Sequence, residues 1–359
     1  MLTRACRHGR QGIVTLVESA LQLQYNQDVK DLNDYFPVVV EELLHKTTVS
    51  NASNNSSKLL QYSFGGKLLR ATASFNVMRE LTGFTTDEEM RVSKALAWSI
   101  ELSHAALLML DDIADDAITR RGLPCWHVQV GLRAVLDALF LQHCAVSIIE
   151  THFKGEPYLD MLKLFQNTMF EASIGQNYDI HCTNSGVIKF DEFSLQRFRD
   201  LCLHKTSHYS FYYPIAMAMF ACGLTDKSVH NAARDLASHI GLTFQIQDDF
   251  LDCYGSSKRT GKQGTDIRNG KCTWLIAKAK QMADQKQLKA LKENYGFNDR
   301  RRVDTILQLY DELKITEAFL LEERQLVQTI KDKIKTHSTI LPPSIYKYVL
   351  ENIKYNLKR

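Results

Sequence analysis

Proline is scarce in this sequence, with only six residues in a chain of 359. They stand at positions 37, 124, 157, 214, 342 and 343, so long stretches run without one. Proline lacks a backbone donor and its ring clashes with the preceding helical turn, so stretches without it permit long helices. The sequence also has no convincing alternation of apolar and polar residues that would predict strands. We therefore predict an all-α fold.

A strong charge of either sign is also missing. The chain has 44 Lys and Arg against 41 Asp and Glu, a formal net charge of +3. This balance creates no whole-surface field that would favour nucleic acid or an anionic membrane. No uninterrupted apolar run approaches the roughly 18 residues that a membrane span needs. We expect a soluble protein with no nucleic-acid partner and no membrane span.

The eight cysteines form no CxxC pair and have no zinc-ligand spacing. Most lie in apolar segments, which favours buried thiols in a reducing compartment and predicts a cytoplasmic protein. The chain start carries Arg4, Arg7 and Arg10 with no acidic residue before Glu18. Residues 1–20 are therefore predicted to be a flexible basic N-terminus, and its weak similarity to a transit peptide makes the mitochondrion the alternative location.

Apolar residues recur at helical spacing along almost the whole chain. An opening pattern covers about Val14 to Lys46, and the polar stretch Thr47 to Lys58 predicts a loop. Further helices are predicted over about 68–81, from 88 into the first acidic motif, and over 132–152, 157–181, 191–204, 207–222, 227–254, 271–292, 300–334 and 342–357. The glycine-rich segment 255–271 is too short for a domain linker, so residues 21–359 are expected to form one domain.

Two aspartate triads share the spacing i, i+1, i+4. The first follows the apolar run 105–110, and the second follows the mostly apolar stretch 240–246. They comprise Asp111, Asp112 and Asp115, and Asp248, Asp249 and Asp252. On a helix, the first and third carboxylates of each triad lie on one face. Solvated acidic turns would explain one triad, but two triads that emerge from apolar helices favour Mg²⁺ ions bridging to a phosphate.

Basic residues flank both triads along the chain. They are Lys67, Arg70, Arg120, Arg121, Lys205, Lys262 and Lys271. Arginine grips phosphate oxygens at two points, and lysine supplies a mobile point charge. Each residue alone is more often a surface charge. Together they are what a metal-bridged diphosphate and a second, metal-free diphosphate would require.

Several stretches resemble the trans-isoprenyl diphosphate synthase family, and within it the farnesyl-type enzymes. The resemblance covers most of the chain from about residue 25 onward, in the family's order and spacing. It is carried by FGGKLLR (64–70), LDDIADDAITRRGLPCWH (110–127), GQNYD (175–179), HKTSHYSFYYPIAMAM (204–219) and FQIQDDFLDCYGSSKRTGKQGTDIRNGKCTWL (244–275).

The resemblance implies an antiparallel helical barrel around a central cavity, usually a homodimer, that acts on prenyl diphosphates. Both triads would hold three Mg²⁺ ions on the allylic diphosphate, with Mn²⁺ or Co²⁺ able to substitute. The residues expected to act in catalysis are Asp111, Asp112, Asp115, Lys205 and Asp248. Those expected to assist or line the allylic diphosphate are Arg120, Lys205, Lys262, Lys271, Thr206 and Gln245. The isopentenyl diphosphate would be bound by Lys67, Arg70, His104 and Arg121.

Some positions depart from the farnesyl pattern. Gln, Gly, Asn and Tyr are usual where this chain has His104, Ala71, Leu136 and His204, which would face the partner substrate or the chain. Two phenylalanines usually stand at the positions of Ala106 and Leu107, one turn before the first triad, as a floor for the growing product. A lower floor would admit a longer product or a folded cation, unless Phe75 or another aromatic refills the volume.

Two enzymatic functions remain open from the sequence. The first is head-to-tail condensation of isopentenyl diphosphate with an allylic diphosphate, favoured by the retained Lys67, Arg70 and Arg121. The second is a terpene synthase derived from the same family, which would convert a prenyl diphosphate such as farnesyl diphosphate into an acyclic or cyclic terpene. A non-enzymatic regulatory subunit is disfavoured because both triads are intact.

Overall fold

The computed structural model describes residues 2–46, 50–181, 188–255 and 264–358. Almost all of these residues are helical, so the predicted all-α class is confirmed. The helices are α1 (Leu2–His45), α2 (Ser50–Ser63), α3 (Leu69–Thr82), α4 (Asp87–Ala114), α5 (Trp126–Val130), α6 (Arg133–His152), α7 (Gly155–Ile180), α8 (Leu195–Leu201), α9 (Tyr213–Ala221), α10 (Lys227–Tyr254), α11 (Asp266–Asn269), α12 (Trp274–Met282), α13 (Gln285–Asn294), α14 (Arg300–Glu312), α15 (Ile315–Thr336) and α16 (Pro343–Lys358). A 3₁₀ turn covers Phe190–Glu192, and a π-helical segment covers Cys202–Tyr212.

The helices pack around two hydrophobic clusters. The larger cluster joins α1, α3, α4, α6 and α9, and its Trp98 donates its indole N–H to the Leu32 carbonyl at 2.8 Å. The smaller cluster joins the C-terminal helices around Trp274, Tyr295 and Tyr310. Helix α10 contributes Ile240 to the first cluster and Ile246 to the second. The second aspartate triad therefore lies on a helix that both clusters hold in place.

The predicted loop from Thr47 to Lys58 is wrong where the structure describes it. Helix α2 begins at Ser50, and Leu59 and Leu60 at its C-terminal half are buried. Serine and asparagine have low intrinsic helix propensity, but burial of an apolar face overrides propensity. The burial of these two leucines gives the physical reason for the helix.

Two long helices predicted near the C-terminus are each divided. The segment 271–292 contains α12 and α13, and a capping box between Asp284 and Gln287 starts the second helix. The segment 300–334 contains α14 and α15, separated at Lys314, whose φ is +53°. A residue in the left-handed region ends a helix without disturbing the apolar periodicity on either side. Periodicity alone therefore could not locate these breaks.

A two-stranded hairpin follows α4, where no strand was predicted. Strands β1 (Thr119–Arg120) and β2 (Leu123–Pro124) pair antiparallel across Arg121 and Gly122. These two turn residues have φ of +54° and +77°. Positive φ at both central positions is the requirement of the tight turns that match strand twist. The hairpin carries the Arg120-Arg121 pair back towards the end of α4.

The backbone of the basic N-terminal segment is helical from Leu2. One helix among the described residues, α6, is long and apolar enough to cross a membrane by length and composition. This is weak evidence for a span, because a core helix passes the same test. In the structure α6 packs against α4, and Ala138, Leu141 and Ala145 of α6 are buried.

Candidate active site

A cavity of about 530 Å³ lies among α3, α4, α7, the π-helical segment and α10. Asp111, Asp115, Asp248 and Asp249 of the two triads line it. It is also lined by the predicted substrate-binding residues that the structure describes, which are Lys67, Arg70, His104, Arg120, Arg121, Lys205, Thr206, Gln245 and Lys271. Lys262 lies outside the described residues. The structure therefore brings together side chains that are up to 204 positions apart, from Lys67 to Lys271.

The π-helical segment positions Lys205 and Thr206 at the cavity wall. Two glycines on neighbouring helices allow it to approach closely. A Cβ at Gly175 on α7 would lie 2.4 Å from the Lys205 backbone nitrogen, and one at Gly241 on α10 would lie 2.3 Å from the Ser207 hydroxyl oxygen. Real side chains never approach so closely, so only glycine permits this packing. The Thr206 hydroxyl then reaches Gln245 of α10 at 2.7 Å.

The first triad is neutralised by cations of the same chain. Arg120 bonds to Asp112 through Nε at 2.8 Å and approaches Asp111 at 3.4 Å. Lys205 donates to Asp111 at 3.1 Å, and Lys271 donates to Asp115 at 2.5 Å. Burial would raise the pKa of Asp111, but the charges of Lys205, Lys271 and Arg120 outweigh burial and hold that pKa below its ordinary value.

One further carboxylate joins the two lysines. Asp179, at the end of α7, accepts from Lys205 at 2.6 Å and from Lys271 at 2.8 Å through the same oxygen, Oδ2. Its side chain is almost fully buried. Burial alone would raise the pKa of Asp179, but the two ammonium groups lower it. Asp179 therefore stays ionised and points both lysines into the cavity.

The second triad has a different electrostatic environment. Asp249 accepts from Gln245 Nε2 and from the Trp274 amide, each at 2.8 Å, while Asp252 Oδ2 accepts from the Thr265 and Asp266 amides. Burial, together with the neighbouring Asp248 and Asp252, raises the pKa of Asp249 to about 8. A divalent cation bound beside Asp249 would favour the ionised form of this carboxylate.

The donor set fits a hard divalent metal. It consists of carboxylate oxygens from two helices around a shared cavity, the ligand type that Mg²⁺ prefers. No cluster of three or more His, Cys, Asp and Glu close enough to hold an ion occurs within the described ranges. A metal ion bound there would therefore need further ligands besides these side chains, such as water or phosphate oxygens.

A second group of cations lies away from the triads. Arg121 donates to the Gly65 carbonyl at 2.7 Å, beneath the positive-φ pair Gly65-Gly66. Gly66 has a φ of +92°, which other residues rarely adopt, and a Cβ there would also displace the Arg121 guanidinium, whose carbon would lie 2.5 Å away. Glu101 is buried and lies between Arg70 and Arg121, and burial raises its pKa against the effect of these two charges.

His104 contacts this cationic group directly. Its Nε2 lies 3.0 Å from Arg70 Nη1, and its Nδ1 lies 3.3 Å from the Tyr209 hydroxyl. Arg70 also donates to the Tyr209 hydroxyl at 2.9 Å and to Ser210 Oγ at 2.7 Å. The pKa of His104 is lowered well below 6.5. Burial is the largest cause, and the charges of Arg70, Arg121 and Arg120 add to it.

Sequence reasoning missed several residues of the site. They are Glu101, Gln176, Asp179, Tyr209 and Ser210, all of which line the cavity. Gln176 donates to Asp111 at 3.1 Å. Four of these lie within the quoted stretches GQNYD and HKTSHYSFYYPIAMAM, but their spacing singled out none of them. Only the meeting of α4, α7 and the π-helical segment gives them a common site.

The positions that depart from the farnesyl pattern are not all at the cavity. Of them, His104 and Leu107 line it, whereas Ala71 and Ala106 are buried elsewhere in the core. Leu136 does not line it either and is 68% exposed on α6.

Local packing accounts for the last departure, His204, and for the aromatic residue Phe75. His204 pairs with Glu171 at 2.5 Å. Phe75 packs against Phe84 with ring centroids 5.0 Å apart, and it does not line the cavity, so it is not the aromatic that would refill the floor.

Comparison with known proteins agrees with this geometry. Residues 53–313 match the polyprenyl synthetase family. Over 332 residues the chain is 32% identical to the farnesyl pyrophosphate synthase of Bos taurus, and this alignment covers 90% of this chain and 94% of the relative. It is 36% identical over 311 residues to the farnesyl pyrophosphate synthase of Saccharomyces cerevisiae, and this alignment covers 83% of this chain and 88% of the relative.

A solved structure of T. brucei farnesyl diphosphate synthase with the bisphosphonate BPH-722 is similar throughout. The TM-score is 0.81 at 26% identity, with 94% of this chain and 99% of that chain covered. Membership of this family carries dependence on a divalent metal ion in general. The chain therefore belongs to the polyprenyl synthetase family and is an isoprenyl diphosphate synthase, a prenyltransferase of isoprenoid biosynthesis.

Proposed function

We propose that this enzyme condenses isopentenyl diphosphate head-to-tail with an allylic prenyl diphosphate to make a longer prenyl diphosphate. One observation carries the proposal. A single cavity is lined by four carboxylates that belong to the two triads and also by the cations Lys67, Arg70 and Arg121. An enzyme that ionised one substrate alone would have no use for the second cationic group.

In this proposal the allylic diphosphate binds between the triads with three Mg²⁺ ions, for which Mn²⁺ or Co²⁺ can substitute. These ions would neutralise the charge that develops on the departing diphosphate. The ligands are Asp111, Asp112 and Asp115 on one side and Asp248, Asp249 and Asp252 on the other. Carboxylates of both triads on the lining of one cavity, together with the raised pKa of Asp249, support this assignment.

Asp111 and Asp115 would hold metal ions in the proposed reaction, and these ions would supply positive charge to the diphosphate. Lys205 and Lys271 would then each give up one carboxylate contact and keep Asp179. Their ammonium groups then serve the diphosphate oxygens, together with Arg120 and Lys262. Donors that are already held in place stabilise developing charge without reorganising.

Isopentenyl diphosphate is proposed to bind at Lys67, Arg70, His104 and Arg121. Thr206 and Gln245, expected near the allylic diphosphate, line the same cavity and bond to each other. The apolar wall formed by Leu107, Leu108 and Phe244 would receive the hydrocarbon chains. Exclusion of water by such a wall protects an allylic cation from premature capture.

A terpene synthase remains the second candidate, because one observation favours it. Leu107 lines the cavity where the family resemblance places a phenylalanine, and Ala106 beside it adds no aromatic bulk. A floor without aromatic rings leaves room for a cation to fold or for a longer product. The two candidates differ in whether isopentenyl diphosphate is consumed.

Product analysis distinguishes these candidates. The enzyme is incubated with Mg²⁺ and geranyl or farnesyl diphosphate, with and without isopentenyl diphosphate. We expect a longer prenyl diphosphate that forms only when isopentenyl diphosphate is present. A volatile hydrocarbon or alcohol from the allylic substrate alone would instead establish a terpene synthase.

We also propose that the chain forms a homodimer in the cytoplasm. Leu132, Leu136 and Leu139 around the start of α6 are between 50% and 82% exposed, and they offer an apolar face for a second copy. Light scattering of the purified chain, repeated with Leu136→Asp, tests the dimer. Imaging of the full chain and of a chain starting after residue 20 tests the compartment, with the mitochondrion as the alternative.

A further inference from the structure

The apolar part of the cavity lies between α4, α7 and the π-helical segment. At the aspartate end of the cavity, Lys205 donates to Asp111 of α4 at 3.1 Å and to Asp179 of α7 at 2.6 Å. One or two helical turns away from these contacts, the lining includes Leu107 on α4 and Ala172 on α7. The hydrocarbon chain of a substrate whose diphosphate lies at the triads would extend towards these apolar side chains.

The next turn of each element carries a buried residue that does not line the cavity. Each of these residues lies four positions further from the triads than one of the lining residues Leu107, Ala172 and Tyr209. Side chains four positions apart lie on the same face of a helix, about one turn from each other. The residues of this deeper layer are Ser103 on α4, Thr168 on α7 and Tyr213 at the start of α9.

Tyr213 is the large member of the deeper layer, since serine and threonine are small. Helix α9, which it begins, packs against both α4 and α7. Its ring meets Phe165 of α7 edge-on, with ring centroids 6.4 Å apart. Burial raises the pKa of Tyr213, and the Ser103 hydroxyl of α4 opposes this rise. The ring therefore lies between α7 and α4, one turn deeper than the lining residues.

Helix α4 supplies little bulk at this depth, because Ser103 and Ala106 are both small and buried. A large side chain from a neighbouring helix fills such space in a close-packed interior. The Tyr213 hydroxyl is buried and has no partner with hydrogen-bond geometry among the described residues. An unbonded buried hydroxyl costs free energy. Volume, rather than a hydrogen bond, is therefore what Tyr213 contributes.

We propose that the Tyr213 ring closes the apolar end of the cavity and limits the length of the hydrocarbon chain that the enzyme can make. The inference rests on the proposed condensation function and makes Tyr213 a residue that determines product length. One helical turn rises about 5.4 Å, so loss of the ring would deepen the cavity by roughly the reach of one isoprene unit.

Three substitutions at this position separate ring volume from the hydroxyl. Tyr213→Phe keeps the ring and removes the unbonded hydroxyl. Tyr213→Leu and Tyr213→Ala remove the ring, and leucine retains more buried apolar volume, so it carries the test if the alanine variant does not fold. Phe75→Leu is the matched control, because Phe75 is a buried aromatic residue that packs against Phe84 away from the cavity. Circular dichroism checks that each variant is folded.

Product length is the first measurement. Each chain is incubated with Mg²⁺, geranyl diphosphate and excess isopentenyl diphosphate, and the prenyl alcohols released by phosphatase are separated by chain length. We expect Tyr213→Leu and Tyr213→Ala to raise the ratio of the next longer product to the wild-type product by roughly tenfold or more, the scale at which an apolar pocket discriminates. Tyr213→Phe and Phe75→Leu should keep the wild-type ratio.

Substrate preference is a second readout, which general loosening of the core would not move. In steady-state assays, kcat/KM for farnesyl diphosphate relative to geranyl diphosphate should rise by roughly tenfold in Tyr213→Leu. A variant that was merely destabilised would lose activity towards both allylic substrates equally.

Four results would overturn the inference. Wild-type product length and substrate preference in a folded Tyr213→Leu variant would do so while leaving the condensation function intact. An equal shift in Tyr213→Phe would assign the effect to the hydroxyl, and an equal shift in Phe75→Leu would assign it to the core in general. A wild-type chain that makes no longer prenyl diphosphate would overturn the proposed function together with the inference.

Discussion

At the scale of single residues, one buried oxygen orients two lysines of the active site. Asp179 Oδ2 accepts from both Lys205 and Lys271, which also reach Asp111 and Asp115. Two ammonium groups so close together repel each other, so the carboxylate between them decides whether both stay in the cavity. Removing one partner from a buried charge network is costly because the other charges are left uncompensated.

We expect Asp179→Asn to lower kcat/KM for the allylic substrate by roughly 100-fold, the scale of losing a preorganised electrostatic group. Steady-state kinetics with saturating Mg²⁺ provide the measurement. Asp191→Asn is the matched control, since this carboxylate is exposed and pairs with Lys292 at the surface. Near-normal activity of Asp179→Asn would show that the lysines need no shared acceptor.

The pKa of His104 predicts a dependence of stability on pH. Burial and three arginines lower this pKa well below 6.5 in the folded chain, whereas the unfolded chain keeps the ordinary value. The groups that face it are Arg70, Arg120, Arg121, Glu101 and Tyr209. The unfolded state therefore binds the proton first, so this contribution is present above pH 6.5 and is lost as pH falls towards the folded pKa.

Urea unfolding of the wild-type chain and His104→Gln between pH 7.5 and pH 5 tests this dependence, at about one-unit steps. The free energy of unfolding should fall more steeply with decreasing pH in the wild type than in the variant. Parallel curves would contradict a neutral, desolvated His104.

At the scale of elements, close packing of glycine against the π-helical segment controls where Lys205 lies. A Cβ at Gly175 would meet the backbone of Lys205 and His204, at 2.4 to 2.7 Å, rather than a flexible side chain. The segment would have to move away from α7, and Lys205 would move with it. A displacement of about 1 Å at a catalytic group costs on the order of 100-fold in rate.

We predict that Gly175→Ala lowers kcat by at least about tenfold, with a smaller effect on the melting temperature than a cavity in the core would have. Asn167→Ala is the control, since Asn167 is an exposed residue on the same helix. A fully active Gly175→Ala variant would mean that the π-helical segment does not set the position of Lys205.

At the scale of the whole molecule, the proposed metal ligands lie on two helices that hold different parts of the core. Asp111 lies in the last turn of α4, a helix of the larger hydrophobic cluster. Asp248 lies on α10, which contributes residues to both hydrophobic clusters. Metal and pyrophosphate bound between them would link the two parts. A ligand that binds only the folded state stabilises it by mass action, by about 2.7 kcal/mol at 100 times its Kd.

Mg²⁺ with inorganic pyrophosphate should raise Tm by roughly 5 °C, and neither component alone should do so fully. Asp111→Ala and Asp248→Ala should remove this shift and abolish turnover while remaining folded, and EDTA should reverse it in the wild type. Differential scanning fluorimetry provides the measurement. A retained shift and near-normal activity in both variants would refute the metal assignment.

The sequence predicted much of the helical fold, because apolar periodicity reports which face of each helix is buried. It failed at α2, where burial of Leu59 and Leu60 outweighs the poor helix propensity of serine and asparagine. It also missed the breaks near Asp284 and Lys314, because capping and positive φ leave the periodicity on each side unchanged.

For the active site, the sequence by itself determined the residue types and the two triads, because clustered carboxylates and paired cations constrain chemistry through their spacing, and the resemblance of its motifs indicated the family. Only the tertiary structure decided that Asp179 serves two lysines, that Leu136 lies away from the cavity and that His104 faces Arg70 and Tyr209. These facts depend on how α4, α7 and the π-helical segment meet. Contacts between distant segments are set by packing, which spacing within one segment does not encode.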